Sequence, residues 1–249
     1  MVSDVYGASH KGNVRDLNED SFCVHGFTRQ EPYGFCIVSD GMGGHNAGEV
    51  ASQQTVQFVA EELLRKLTAQ EVPKALNQAT RNANDRVCRM AMANQSQRGM
   101  GATLVAAYVC EEQAYIANVG DSRAYAYRNG ELLQITRDHS VVEELVANGT
   151  ITKEEARNHP QRNIITRAIG SEGVMEPDIF EYDYYPGDIL LLCSDGLSSM
   201  LNDAEIQKIL MENTNAKQMV TALIDAANRQ GGRDNITVIC IRFIQEGER

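Results

Sequence analysis

Five aspartates could do chemistry together, because each adjoins a strand-like apolar run and a glycine or polar turn: Asp20, Asp40, Asp121, Asp195 and Asp234. Asp40 follows Gly34-Phe35-Cys36-Ile37-Val38-Ser39 and opens the turn-like Gly41-Met42-Gly43-Gly44-His45. Asp195 follows Leu190-Leu191-Leu192-Cys193-Ser194 and precedes Gly196, repeating the Ser-Asp-Gly strand end. Taken singly, each aspartate reads more readily as a solvated loop carboxylate or a cap than as a ligand. Together they suggest carboxylates converging on cations, since clustered carboxylates repel one another without them. Oxygen ligands without a His- or Cys-rich set suit a hard divalent ion, Mg²⁺ or Mn²⁺. A carboxylate-bridged pair of such ions, about 3.5–4 Å apart, can generate hydroxide near neutral pH and clamp a phosphoryl group in line.

Arg15 is the natural phosphate partner, with a planar fork of donors that stays charged. On sequence alone a surface ion pair with Asp16 or Glu19 is the more ordinary reading of this residue. His45 has the pKa range to protonate a leaving alkoxide, or it is a structural or exposed histidine. His10, His25, His139 and His159 have no partner that the spacing identifies. Residue types and spacing therefore reach a two-metal hydrolase acting on a phosphorylated substrate.

The elements that must position these residues change period along the chain. Short strands are expected at 2–9, 21–25 and 34–38, the last capped by the Asp40 turn. Two amphipathic helices follow, one with Val56, Val59, Leu63 and Leu67 on its core face, the other with Leu76, Ala79, Ala83, Val87 and Met90. From Gly101 an antiparallel meander is expected over 103–109, 113–119, 122–127 and 132–135, because its connections are too short for parallel crossovers. Ser140 and Thr152 each fit a capping box for a short helix, and the polar stretch 143–163 reads as a surface insertion. Strands at 178–184 and 188–193, helices at 203–211 and 215–229 and a closing strand at 236–241 complete the order. Helices in pairs beside antiparallel strands predict an α+β fold, a central β-sandwich with helix pairs outside.

The 249 residues, 43% hydrophobic, can bury one full core. A net charge of -11 argues against binding nucleic acid or an anionic membrane. Six scattered cysteines without a Cys-x-x-Cys pair read as reduced core residues of an intracellular protein. No basic-then-apolar leader opens the sequence and no apolar run approaches a membrane span, so a cytoplasmic protein is expected.

Arg15-x-x-Asn18-Glu19-Asp20, Asp40-Gly41-Met42-Gly43-Gly44-His45, Gly101-x-Thr103, Val119-Gly120-Asp121-Ser122-Arg123, Ser194-Asp195-Gly196 and Asp234-Asn235 occur in the order of one family. With these motifs the chain resembles the metal-dependent type 2C (PPM-type) Ser/Thr protein phosphatases, above all their minimal bacterial cytoplasmic branch. The resemblance implies a β-sandwich flanked on both sides by helix pairs, in one domain over 1–245 with a short polar tail at 246–249. It implies hydrolysis of phosphoserine and phosphothreonine in proteins by a metal-bridging hydroxide, reversing the work of a bacterial Ser/Thr kinase. By the same resemblance Asp40 would bridge two Mn²⁺ or Mg²⁺ ions and the Gly41 carbonyl would bind the second. Asp195 and Asp234 would complete the first, and Asp121 with Asp195 would hold a third, weaker ion. Glu19 and Asp20 would hold metal-bound waters, Arg15 the substrate phosphate, and His45 would act as general acid. The segment 143–163 would be the flap beside the site. Asn46 and Ala102 depart from common family residues, but no ligand position is lost. Phosphorylated proteins and a cognate kinase are the expected partners, and a monomer the expected state. A metal-binding phosphoprotein recognition module on the same fold is the alternative from another class.

Overall fold

The computed structural model describes residues 2–43, 47–64, 67–111 and 113–245. His45 and the tail 246–249 lie outside the described residues. Three strands come first, β1 (Val2–His10), β2 (Asp20–Gly26) and β3 (Gly34–Met42), then two long helices, α1 (Ala47–Leu63) and α2 (Val72–Ala93). Next are β4 (Gly101–Ala102), β5 (Leu104–Val109), β6 (Gln113–Val119), β7 (Arg123–Arg128) and β8 (Glu131–Gln134). Two short helices follow, α3 (Val141–Ala147) and α4 (Lys153–Arg157), then β9 (Asp178–Asp183) and β10 (Ile189–Cys193). The chain closes with α5 (Asp195–Ser198), α6 (Asp203–Glu212), α7 (Ala216–Arg229) and β11 (Ile236–Ile244).

Two sheets result, ordered β1-β11-β10-β7-β8 and β2-β3-β5-β6-β9, with β4 added beside β3. Their pairings are all antiparallel. Side chains alternate across a strand, so a strand covered on both faces must be apolar throughout. That is why β10 reads Ile-Leu-Leu-Leu-Cys: Leu190 and Leu192 enter the layer between the sheets, while Ile189, Leu191 and Cys193 meet α5–α7. Strand β11 does the same, with Ile239, Ile241 and Phe243 between the sheets and Val238 and Cys240 under the helices. On the other side α1 and α2 bury Val59, Leu63, Leu76 and Ala83 against the second sheet. The expected four-layer α+β sandwich is the fold. Among the described residues no helix is long and apolar enough to cross a membrane. All six cysteines are unpaired, four of them buried.

Several local expectations are corrected. The meander divides: β6 pairs with β5 and β9, while β7 pairs with β8 and β10, so Gly120-Asp121-Ser122 carries the chain from one sheet to the other. Short connections exclude a parallel crossover but do not distinguish a hairpin from a change of sheet. Asp40-Gly41-Met42 is not a turn; β3 runs through it, because β4 supplies partners for Gly41 and Met42. Leu67 lies beyond the end of α1, though it still packs on that core. Thr152 forms the full capping box with Glu155. Ser140 caps only by accepting from the Glu143 N–H, because the Glu143 carboxylate takes Arg137 instead.

Candidate metal centre

One rim of the sandwich collects the polar strand ends. Asp20 opens β2, Asp40 lies near the end of β3, Asp121 follows β6, Asp195 follows β10 and Asp234 precedes β11. In antiparallel sheets those ends fall on the same side, so five positions spread over 215 residues become neighbours. Asp20 and Asp40 are register partners on β2 and β3. A cavity of about 1280 Å³ opens at the opposite strand ends, among Gly34, Val109, Gln113 and Asp183, and contributes nothing to this rim.

Two glycines let the rim close. A Cβ on Gly41 would lie 2.0 Å from the Gly48 carbonyl oxygen and 2.6 Å from that of Glu19, so the start of α1 packs directly on β3 there. A Cβ on Gly196 would lie 1.9 Å from the Asn235 carbonyl oxygen. Only glycine at 196 lets the turn bearing Asp195 press against the turn bearing Asp234.

Hydrogen bonds then fix the carboxylates and their loops. Asp20 Oδ2 accepts from Ser194 Oγ at 2.8 Å and from Thr237 Oγ1 at 2.6 Å. The Asp40 N–H donates to Thr103 Oγ1 at 2.9 Å, and that hydroxyl shares a 2.7 Å bond with Ser122. Asn235 Nδ2 donates to the carbonyls of Lys11 (2.9 Å) and Leu17 (2.8 Å), and its Oδ1 accepts the Glu19 N–H at 2.8 Å. Asn235 thereby pins the loop that carries Arg15. The Glu19 carboxylate accepts from the Gly48 N–H at the start of α1, and burial raises its pKa. Arg15, half exposed, pairs with Asp234 Oδ2 at 2.8 Å, rather than with Asp16 or Glu19.

Electrostatically the rim is under strain. Burial, then the neighbouring Asp20, Asp195, Asp121 and Asp234, push Asp40 well above the usual carboxylate range. Burial followed by Asp195 does the same to Asp121. Asp195 is raised to about 6 by burial and Asp234, against a hydrogen bond from Asp40. Asp20 is raised to about 7, burial outweighing its two hydroxyl donors. Asp40, Asp121 and Asp195 each keep part of their surface open to solvent, which moderates the effect without reversing it.

Residues on the rim fit divalent cations by chemistry rather than by a finished cage. Among the described residues no three His, Cys, Asp or Glu side chains already stand in coordination geometry. Yet Asp20 Oδ1 and Asp195 Oδ1 are buried without a hydrogen-bond partner among the described residues, and buried carboxylate oxygens are rarely left so. Two like charges directly opposite across β2 and β3 are otherwise destabilising. An all-oxygen set that answers both conditions is what a hard cation requires.

A model of the family described as Protein phosphatase 2C matches residues 6–237. The chain belongs to the protein phosphatase 2C family. It is 42% identical over 242 residues to "Serine/threonine phosphatase stp" of Listeria innocua, covering 95% of each chain. The crystal structure of the serine/threonine phosphatase Stp1 from Staphylococcus aureus superposes with a TM-score of 0.92 at 34% identity, covering 98% of this chain and 96% of that one. The catalytic domain of the phosphatase PstP in complex with 2 manganese ions superposes with a TM-score of 0.87 at 35% identity, covering 98% and 99%. As in other protein phosphatases 2C, the chain depends on metal.

Of the residues singled out in the sequence of this protein phosphatase 2C, Asp20, Asp40, Gly41, Asp121, Asp195 and Asp234 share the rim, with Glu19 and Arg15 at its edge. His45 lies outside the described residues. Sequence reasoning missed what holds the carboxylates: Ser122, Ser194, Thr237 and the side chain of Thr103. A hydroxyl residue three positions from the aspartate at a buried strand's end is the signal that could have found Thr237. It is a weak one, since Thr is ordinary in strands.

Proposed function

We propose that the acidic rim is where this protein phosphatase 2C hydrolyses phosphoserine and phosphothreonine esters in proteins. Family membership makes the chain a protein serine/threonine phosphatase. The observation that carries the assignment of the site is the set of mutually raised carboxylates at one rim, two with oxygens that have no hydrogen-bond partner among the described residues. Asp40, the Gly41 carbonyl, Asp195 and Asp234 would hold two core ions, Mn²⁺ or Mg²⁺, and Asp121 with Asp195 a third. When bound, these ions supply Lewis-acid polarisation of the phosphoryl oxygens and a nucleophile available at neutral pH.

The chain's own groups do the rest. Arg15 presents its guanidinium at the exposed edge of the rim, where its free N–H groups can bind two oxygens of the phosphoryl group. Its pairing with Asp234 sets the direction in which it approaches. Glu19 and Asp20 would lie behind the ligands and orient water by accepting hydrogen bonds from it. His45 protonates the departing serine or threonine oxygen. The stretch 143–163, whose helices α3 and α4 contain no buried residue, covers the cleft as a flap. The protein works as a monomer in the cytoplasm, on phosphoproteins made by a Ser/Thr kinase.

Hydrolysis of a phosphothreonine peptide by chelator-treated protein, before and after Mn²⁺ or Mg²⁺ is restored, tests the reading. Turnover that appears with the ion supports it. Peptide binding without turnover under either ion would instead make the chain a recognition module.

A further inference from the structure

His139 is buried between β8 and α3, outside the set of residues already given a role. Its Nδ1 accepts the Gly120 N–H at 3.1 Å, and its own backbone N–H donates to the Gly120 carbonyl at 2.9 Å. The same carbonyl accepts from Asn118 Nδ2 at 3.3 Å. Gly120, the residue immediately before Asp121, is therefore gripped at both its N–H and its carbonyl, and the grip on the N–H is an imidazole. An N–H can donate only to a ring nitrogen without a proton, so the ring is neutral and carries its proton on Nε2. That nitrogen stands 3.2 Å from Asp178 Oδ2, and Asp178 Oδ1 accepts from Arg167 Nη1 at 2.7 Å. Burial lowers the His139 pKa against the pull of Asp178, which keeps the ring in the neutral form. Burial raises Asp178, but the bonds from Arg167 and His139 outweigh it and hold the carboxylate ionised.

We propose that His139 is the positioning residue of the Asp121 carboxylate, with Asp178 and Arg167 fixing the tautomer that lets it hold the Gly120 peptide. Its consequence for metal rests on the reading of Asp121 as a cation ligand. Gly120 lies between β6 and β7 where the chain changes sheet, so no strand ladder fixes the residue that precedes Asp121. The imidazole supplies that restraint at one nitrogen, and the Asp178–Arg167 pair supplies its orientation at the other. His139 also accepts the Thr166 N–H at 2.8 Å on its carbonyl, which ties the segment just after the 143–163 stretch to the same residue.

Asn and Gln separate the two ring nitrogens. His139→Asn places an amide oxygen where Nδ1 was; His139→Gln reaches towards Asp178 and leaves the Gly120 N–H without an acceptor. The full chain and both variants are compared by calorimetric titration with Mn²⁺ and by amide hydrogen exchange at Gly120, with Asp121→Ala as the control. We expect Asp121→Ala and His139→Gln to lose the weakest binding step, and the Gly120 amide of His139→Gln to exchange about tenfold faster. His139→Asn should keep both near the wild-type values. If His139→Gln binds as the wild type does while Asp121→Ala does not, positioning by His139 is overturned. If Asp121→Ala binds unchanged, the Asp121 ligand reading fails instead, and the amide decides: equal Gly120 exchange in both histidine variants overturns the positioning as well. In the wild-type protein ¹⁵N spectra of the histidines should place the His139 proton on Nε2, and a proton on Nδ1 contradicts the inference whether or not the variants fold.

Discussion

Asp20 and Asp40 face each other across β2 and β3, both acidic and both with pKa values pushed upward. Protonated, the pair is tolerated; ionised, it costs stability. For Asp195 and Asp20 the folded values are about 6 and about 7, above the ordinary aspartate value of 3.8. Between those limits the native state binds more protons than the unfolded state, so stability falls as pH rises. Chelator-treated protein should therefore melt at progressively lower temperature from about pH 4 to about pH 7. Mn²⁺ at about 100 times its dissociation constant should add about 2.7 kcal/mol, or roughly 5–10 °C, at pH 7.5, and less at pH 5. A metal-free melting temperature that rises across this window would show that the carboxylates are not strained.

Arg15 and Asp234 share one ion pair at 2.8 Å, although one is assigned to phosphate and the other to metal. Exposed as it is, the pair itself is worth little to stability. Arg15→Ala should leave the melting temperature nearly unchanged and lower kcat/KM for a phosphothreonine peptide by about 10–100-fold, mainly through KM. Titration of the variant with Mn²⁺ should show core binding no weaker than in the wild type, since Asp234 loses a competing cation. An unaltered KM would remove Arg15 from phosphate binding.

Thr103 is buried and holds the Asp40 N–H through its hydroxyl. Valine keeps the shape and leaves that N–H, together with Ser122, short of a partner. Thr103→Val should lose about 1–3 kcal/mol by urea unfolding. Because Asp40 then loses its fixed position, kcat/KM should drop by about tenfold or more. Equal activity with reduced stability would assign Thr103 to packing alone.

His45 can be tested by leaving group. His45→Ala should slow a phosphothreonine peptide by about 10²–10⁴-fold, while p-nitrophenyl phosphate, whose leaving group needs no proton, loses far less. Matching losses on the two substrates would exclude an acid role.

Much of this was legible because burial and periodicity write themselves into residue types. The run Leu190-Leu191-Leu192 announces a strand covered on both faces, and the stripe through Leu76, Ala83 and Val87 announces a helix on a sheet. The five aspartates were legible for the opposite reason, as charges at the ends of runs that exclude charge. What stayed hidden depends on partners distant in sequence. Whether Gly120-Asp121-Ser122 turns back or changes sheet depends on β9 and β10 competing for β6 and β7, and no local pattern records that competition. Asp40-Gly41 looked like a turn because glycine is common in turns, whereas β4, of two residues, is too short to announce itself as a partner. His139 had no visible partner because Gly120 and Asp178 lie 19 and 39 residues away.

Asp195 offers the most direct test, since one of its oxygens is buried at the rim without a hydrogen-bond partner among the described residues and it touches Asp40. Phosphate release from a phosphothreonine peptide should be measured for wild type and Asp195→Ala across a Mn²⁺ titration. The rim as a metal centre predicts release that rises with Mn²⁺ in the wild type, and a kcat at least ~10³-fold lower in the variant, as for the loss of a principal electrostatic contact. Equal Mn²⁺-dependent release from both proteins would contradict it.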